Sequence, residues 1–105
     1  MASNPETLAV VLDGEIDLHE APRIRELLLP ALAREVDRLV IDLSAVTYID
    51  SSGLALLIEA LQRVTSYGGD LALSGLRPSL KSIFEIARLD QVFQIVPDQD
   101  SSASG

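Results

Sequence analysis

The sequence contains no cysteine and a single histidine, His19. Disulfide bonds, thiolate chemistry and cysteine-based zinc sites are therefore excluded, as is a metal site built from several histidines. The 105 residues include no tryptophan and only two Tyr and two Phe. A core must therefore be built mainly from Leu, Ile, Val and Ala, and we expect neither a metal nor a bound cofactor.

Basic residues are also scarce, since 8 Lys and Arg stand against 16 Asp and Glu, for a net charge of −8. Nucleic-acid binding without sequence preference and adhesion to anionic membranes both need clustered Lys and Arg. No apolar run is long enough to span a membrane, and the N-terminus lacks the basic-then-apolar pattern of a secretion signal. We expect a cytoplasmic protein that neither binds nucleic acid nor inserts into a membrane.

Hydrophobic residues make up 48% of the chain, which is enough for one globular domain. We place this domain at residues 1–97 and expect residues 98–105, "DQDSSASG" in the printed sequence, to form a disordered tail. Short apolar runs alternate with apolar residues at helical spacing. This alternation predicts an α/β domain whose sheet is at least partly parallel.

The pattern also predicts where individual elements begin and end. Asp13-Gly14 is expected to end the first strand, residues 44–49 to form a turn, and Gly68-Gly69 to end the middle helix. Pro30 is expected to kink or divide the first helix, because proline removes a backbone donor. The predicted strands are residues 7–12, 15–17, 39–43, 71–73 and 92–96. Three series of apolar residues at helical spacing, which begin at Ile24, Leu54 and Leu80, predict three helices.

The stretch "TYIDSSGLALLIEALQ" places Asp50, Ser51 and Ser52 directly before an apolar helix pattern. Capping alone is one interpretation, because Asp and Ser oxygens accept bonds from the unpaired N–H groups of a first helical turn. Gly53 would then allow close packing of the helix start. A hydroxyl at this position is also well placed to carry a phosphate, whose charge of about −1.5 to −2 meets the positive end of the helix dipole.

The sequence lacks the motifs that common classes of enzyme need. The patterns G-x-S-x-G, G-x-x-x-x-G-K-[ST] and G-x-G-x-x-G are absent, and His19 is the only histidine available as a base. The aspartates at 13, 17, 42 and 50 do not have the spacing of a dedicated magnesium loop, so each is expected to be solvated or to cap. We therefore expect a protein that is not an enzyme.

The stretch "LVIDLSAVTYIDSSGLALL" resembles the signature of the STAS domain, and of bacterial anti-sigma-factor antagonists in particular. "LDGEIDLHEAP" resembles that family's G-E-[IL]-D segment, and the resemblance extends over residues 7–97. It implies a mixed sheet of four or five strands with three or four α-helices packed mainly on one face. Family members usually carry a longer strand and hairpin before the G-E-[IL]-D segment, so a shortened or absent first strand is expected.

The resemblance also implies a function. Such an antagonist binds an anti-sigma factor, often a serine kinase, and thereby frees a sigma factor. Phosphorylation of the serine after the motif's aspartate releases the partner, and a PP2C-type phosphatase restores binding. Carried over, Ser51 is the phosphorylation site, and Asp17, Asp50, Ser51, Ser52 and Gly53 match partner-binding positions. Glu59 is added as a partner-binding residue because the helix that begins at Ser51 would supply much of the binding face. The alternative is a STAS docking subunit of a transporter or signalling assembly that is not phosphorylated.

Overall fold

The structure is a computed structural model that describes residues 6–96. The predicted tail, residues 98–105, lies outside this range. The described elements follow in the order β1 (Thr7–Ile16), α1 (Ala21–Ala33), β2 (Arg38–Ile49), α2 (Ser51–Ser66), β3 (Asp70–Ser74), α3 (Pro78–Ile86), a 3₁₀ turn (Leu89–Gln91) and β4 (Gln94–Val96).

The strands form one sheet of four in the order β1-β2-β3-β4, which with three α-helices confirms the predicted α/β class. Every strand pair among residues 6–96 is parallel. The resemblance implied a mixed sheet, and for this part of the chain that expectation is wrong. A hairpin is the simplest connection to an antiparallel neighbour. No hairpin precedes α1 in the described part, because β1 leads directly through α1 to β2.

Strands β1 and β2 are longer than the sequence pattern predicts. The predicted ends at Asp13-Gly14 and at residues 44–49 are both wrong, and they share one cause. The two irregular segments pair with each other, with Asp13 opposite Ala45 and Ile16 opposite Ile49. The register shifts on either side of Asp13-Gly14, and Gly14 has a φ of 74°, so a bulge replaces the expected turn.

All three helices pack on the same face of the sheet. In β2, Leu39, Ile41 and Leu43 belong to the hydrophobic core, and the residues between them do not. This alternation is expected when the helices cover one face of the sheet. The helices contribute the rest of this contiguous core, chiefly Ile24, Leu28, Ala31, Leu32, Leu56, Leu57, Ala60, Val64, Leu80 and Phe84. The prediction of helices mainly on one face is confirmed.

Helix α1 runs without a break through Pro30, so the expectation that Pro30 divides it is wrong. The buried stripe continues on both sides of the proline, from Ile24 to Leu32, and burial holds the helix together despite the missing backbone donor. Helix α2 ends near the predicted glycines, since its last residue is Ser66 and Gly68 adopts a φ of 88°.

Candidate functional site

The turn between β2 and α2 resolves which of the three polar residues caps the helix. Asp50 is the N-cap: its backbone is extended, at φ −113° and ψ −171°, and its Oδ1 accepts a hydrogen bond of 3.1 Å from the Gly53 N–H. Its carbonyl accepts the first helical bond, from Leu54 N–H at 2.9 Å. Capping is thus done by Asp50, and the first helical residue is Ser51.

The turn is fixed to the end of β1. The Asp50 N–H donates to the Ile16 carbonyl at 3.2 Å. Gly53 is buried against the same residue: a Cβ added at Gly53 would collide with the Ile16 carbonyl oxygen and lie 2.7 Å from the Ile49 side chain. Glycine at this position lets the helix start lie directly on the strand. The position of Ser51 is therefore set by the backbone of two strands.

Ser51 is exposed on the first turn of α2, whereas Ser52 is half-buried. Because the cap bond is accepted by Asp50, the Ser51 hydroxyl is not needed to complete the helix end. The structure thus places the predicted acceptor at the surface, at the positive end of a helix of 16 residues.

Asp17 lies just beyond the strand residue that holds the turn, and it is half-buried. Its Oδ1 accepts from the Glu20 N–H at 3.0 Å, and its carbonyl accepts from the Ala21 N–H at 2.9 Å. These bonds close the turn that leads into α1, so Asp17 has a structural role in addition to its predicted place in the site. The structure brings Asp17, Asp50, Ser51, Ser52 and Gly53 together at one end of the sheet.

Glu59 lies apart from this group. It is two turns along α2 and forms an ion pair of 2.7 Å with Arg25 of α1, with both side chains about half exposed. This pair borders a groove of about 350 Å³ between α1 and α2, floored by Leu28, Leu32, Leu56 and Ala60. Glu59 therefore belongs to the α1–α2 groove and is separate from the serine turn.

The charges around the turn are almost all negative. Residues 13–20 and 45–55 contain Asp13, Glu15, Asp17, Glu20 and Asp50 and no Lys or Arg. The nearest cation along the chain, Arg23, pairs with Glu20 at 2.6 Å and with Asp13 at 3.3 Å. The hydrogen bond to Glu20 raises the pKa of Arg23 above its usual value, and Asp13 adds to the effect. This end of the molecule is therefore strongly acidic.

Acidity alone does not make this end a metal site. In the part of the chain that the structure describes, no three His, Asp or Glu side chains gather where they could hold a metal ion. Asp17 and Asp50 direct carboxylate oxygens at backbone N–H groups, as capping residues do. Within residues 6–96, no helix is both long and apolar enough to cross a membrane.

Two apolar residues at this end were not predicted as site residues. Leu18 follows Asp17 and is 70% exposed, and Tyr48 in β2 is 49% exposed. Tyr48 pairs with Glu15 across the β1–β2 ladder, directly beside the pair that holds the turn. Tyr48 could have been noticed in the sequence because the chain has few aromatic residues. Only the strand register shows that its side chain lies outside the core.

The fold and the site together define a class of protein, a small α/β domain that presents a hydroxyl at a strand-to-helix turn within an acidic surface. The chain matches the STAS domain over residues 1–102. It is 37% identical over 92 residues to the anti-sigma-B factor antagonist of Bacillus subtilis, covering 88% of this chain and 84% of the relative. The protein belongs to the STAS domain family.

Solved structures agree with this assignment. An anti-sigma factor antagonist from Mycobacterium paratuberculosis superposes with a TM-score of 0.81 at 26% identity, covering 98% of this chain and 87% of that one. The Bacillus cell fate determinant SpoIIAA in its phosphorylated form superposes with a TM-score of 0.69 at 21% identity, covering 98% and 92%. At that identity the second likeness concerns the fold alone.

Proposed function

We propose that this protein is an anti-sigma-factor antagonist controlled by phosphorylation of Ser51. The unmodified domain binds an anti-sigma factor that is also a serine kinase, and so releases a sigma factor. Phosphorylation at Ser51 ends the complex, and a PP2C-type phosphatase restores it. The names of the relatives, which are antagonists of anti-sigma factors, support the general role.

The observation that carries this proposal is the division of tasks between neighbouring residues. Asp50 accepts the capping bond while Ser51 is exposed beside it. A kinase can therefore reach the Ser51 hydroxyl without breaking a bond that the fold needs. The same residues can accept and lose a phosphate while the domain stays folded.

The charge balance explains why a phosphate would act on binding more than on folding. The helix dipole offsets an anion at the first turn by about 0.3–1 kcal/mol, and the neighbouring carboxylate of Asp50 opposes this gain. A partner surface that fits closely around a neutral hydroxyl has no room for a phosphate at the point of contact, and burying the phosphate there costs its hydration whatever charges lie at the border of the interface. Each loss of about 1.4 kcal/mol in binding weakens the complex about tenfold.

The test uses the purified protein with each kinase-type anti-sigma factor encoded in the same genome. Incubation with ATP followed by intact-mass measurement should show one added phosphate, which Ser51→Ala removes. By calorimetry, Ser51→Asp should bind at least tenfold more weakly than the wild type, and Ser51→Ala should retain binding. Ser82→Asp adds the same charge at an exposed serine of α3 and is the matched control.

Phosphate on another residue, or equal affinity of Ser51→Asp and the wild type, would contradict the switch. Binding without any modification would instead favour the alternative, a STAS docking subunit that is not phosphorylated.

A further inference from the structure

We propose that Leu18 and Tyr48 are the apolar anchors through which the partner holds the Ser51 turn. This inference rests on the proposed function and goes beyond it, because it assigns binding energy to two residues that carry no phosphate chemistry. The occupant is a protein whose surface offers apolar pockets bordered by Lys and Arg.

The backbone places both residues beside the turn. Tyr48 precedes Ser51 by three residues and pairs with Glu15, next to the Ile16–Ile49 pair. Leu18 follows Ile16 by two residues, and the Ile16 carbonyl accepts the bond from Asp50 N–H. Leu18 lies in the turn that Asp17 closes. The two side chains thus belong to backbone segments joined directly to the serine turn.

Neither side chain belongs to the hydrophobic core. Leu18 is 70% exposed and Tyr48 is 49% exposed, while the neighbouring Ile16 and Ile49 fill the core at 0% and 2%. Other large apolar side chains are exposed too, but none belongs to the two segments joined to the serine turn, residues 15–18 and 48–53. They are Val11 in β1, Leu27 and Leu29 in α1, and Ile86 and Val92 in and after α3. Isolated exposed apolar residues are ordinary; we assign these two to binding because both lie on backbone segments that hold the candidate site.

Charge indicates the kind of partner. The carboxylates of Asp13, Glu15 and Glu20 lie at the same end of the sheet. Of the cations there, Arg23 is already paired with Asp13 and Glu20, and Arg77 donates to the Ser44 carbonyl. A second copy of this chain would bring the same negative charges against each other. A partner with a basic border around apolar pockets complements this surface, and a central apolar anchor within a polar rim is the usual anatomy of a specific interface.

The experiment measures affinity for the purified anti-sigma factors of the same genome by calorimetry. Leu18→Ala and Tyr48→Thr should each weaken binding about tenfold or more, which is typical for removal of an anchor residue. Thr is chosen at position 48 because it retains strand propensity. Ile86→Ala, at an apolar residue that is 84% exposed on α3, is the matched control and should change affinity less than twofold.

The outcomes separate this inference from the proposed function. If the wild-type protein binds and is phosphorylated on Ser51, but Leu18→Ala and Tyr48→Thr bind as tightly as the wild type, the anchor proposal is wrong and the phosphorylation proposal is retained. If none of the anti-sigma factors binds the wild type, both proposals fail. If sedimentation shows that the wild type self-associates and that Leu18→Ala abolishes this, Leu18 contacts a second copy of the chain and the inference is overturned.

Discussion

Asp50 and Ser51 are adjacent, and both are residue types that commonly cap helices, yet the structure gives them different surroundings. Asp50 has the extended backbone of an N-cap and accepts the Gly53 N–H, while Ser51 has already entered the helix. One residue stabilises the helix end, and its neighbour is left to the solvent. Substitutions at the two positions should therefore affect different properties.

Asp50→Ala should lower the free energy of unfolding by about 0.5–2 kcal/mol, because the Gly53 N–H loses its partner. Asp50→Asn retains an accepting oxygen and should cost less. Ser51→Ala, the matched control one residue away, should change stability by less than about 0.5 kcal/mol. Urea unfolding of the three variants checks this, and equal losses for Asp50→Ala and Ser51→Ala would contradict the assignment of the cap.

Tyr67, at the end of α2, should limit stability at alkaline pH. Its hydroxyl is buried and bonded to no group in the described chain. Burial, followed by the nearby Glu35, raises the pKa of Tyr67 above its usual value near 10. Because the folded-state pKa is the higher one, the protein should lose stability as pH rises above about 10.

Tyr67→Phe should remove that part of the alkaline loss. It should leave stability at pH 7 unchanged or raise it by up to about 1 kcal/mol, because an unbonded buried hydroxyl is removed. Denaturant titrations at pH 7 and pH 11 measure both effects. Tyr48→Phe, at an exposed tyrosine, is the control at pH 7 and should have no effect there. A marked loss for Tyr67→Phe at pH 7 would mean that its hydroxyl is bonded in solution.

At the scale of elements, the helices and the short strands β3 and β4 were predictable, whereas the long β1–β2 pairing was not. The stripes beginning at Ile24, Leu54 and Leu80 are local, because a helix repeats its contacts every few residues. The ends of β1 and β2 depend on residues about 30 positions apart, and Asp13-Gly14 has the local chemistry of a turn. The place of Ser51 was predictable from capping chemistry, whereas the exposure of Leu18 and Tyr48 depends on register.

The contact between α2 and β1 makes Gly53 the most sensitive position of this junction. Gly53→Ala should destabilise the domain by about 2 kcal/mol, because the added methyl group meets the Ile16 carbonyl and the Ile49 side chain. This outweighs the helix propensity of alanine, worth about 1 kcal/mol at most. Ala55→Gly, at an exposed position of the same helix, measures that propensity separately. A variant more stable than the wild type would show that the junction is looser than the structure indicates.

For the whole molecule, the dominant property is a net charge of −8 that is unevenly distributed. The carboxylates near the serine turn include several without a cationic partner among the described residues, and the closest cations on the β3 side, Arg77 and Lys81 at the start of α3, lie beside Ser44 of β2. If the partner is basic, as we propose, this local excess of carboxylates should raise the rate of productive encounters at the serine turn.

Association with the anti-sigma factor should therefore slow as salt is added, with little change in dissociation. Stopped-flow measurements of the association rate at about 20 mM and 500 mM salt check this, because the Debye length falls from roughly 20 Å to a few ångströms over that range. Asp13→Asn combined with Glu15→Gln should weaken the salt dependence. Asp90→Asn, in the 3₁₀ turn after α3, should leave it unchanged. An association rate independent of salt would rule out electrostatic steering.

The strand order β1-β2-β3-β4 also bears on how the chain is made. Strands lie in the sheet in the order in which the ribosome releases them, so each new βα unit can dock on the one already present. The serine turn and every backbone contact that holds it lie between Thr7 and Ser66. The proposed recognition surface is therefore encoded between Thr7 and Ser66, and we expect it to assemble while α3 and β4 are still being translated.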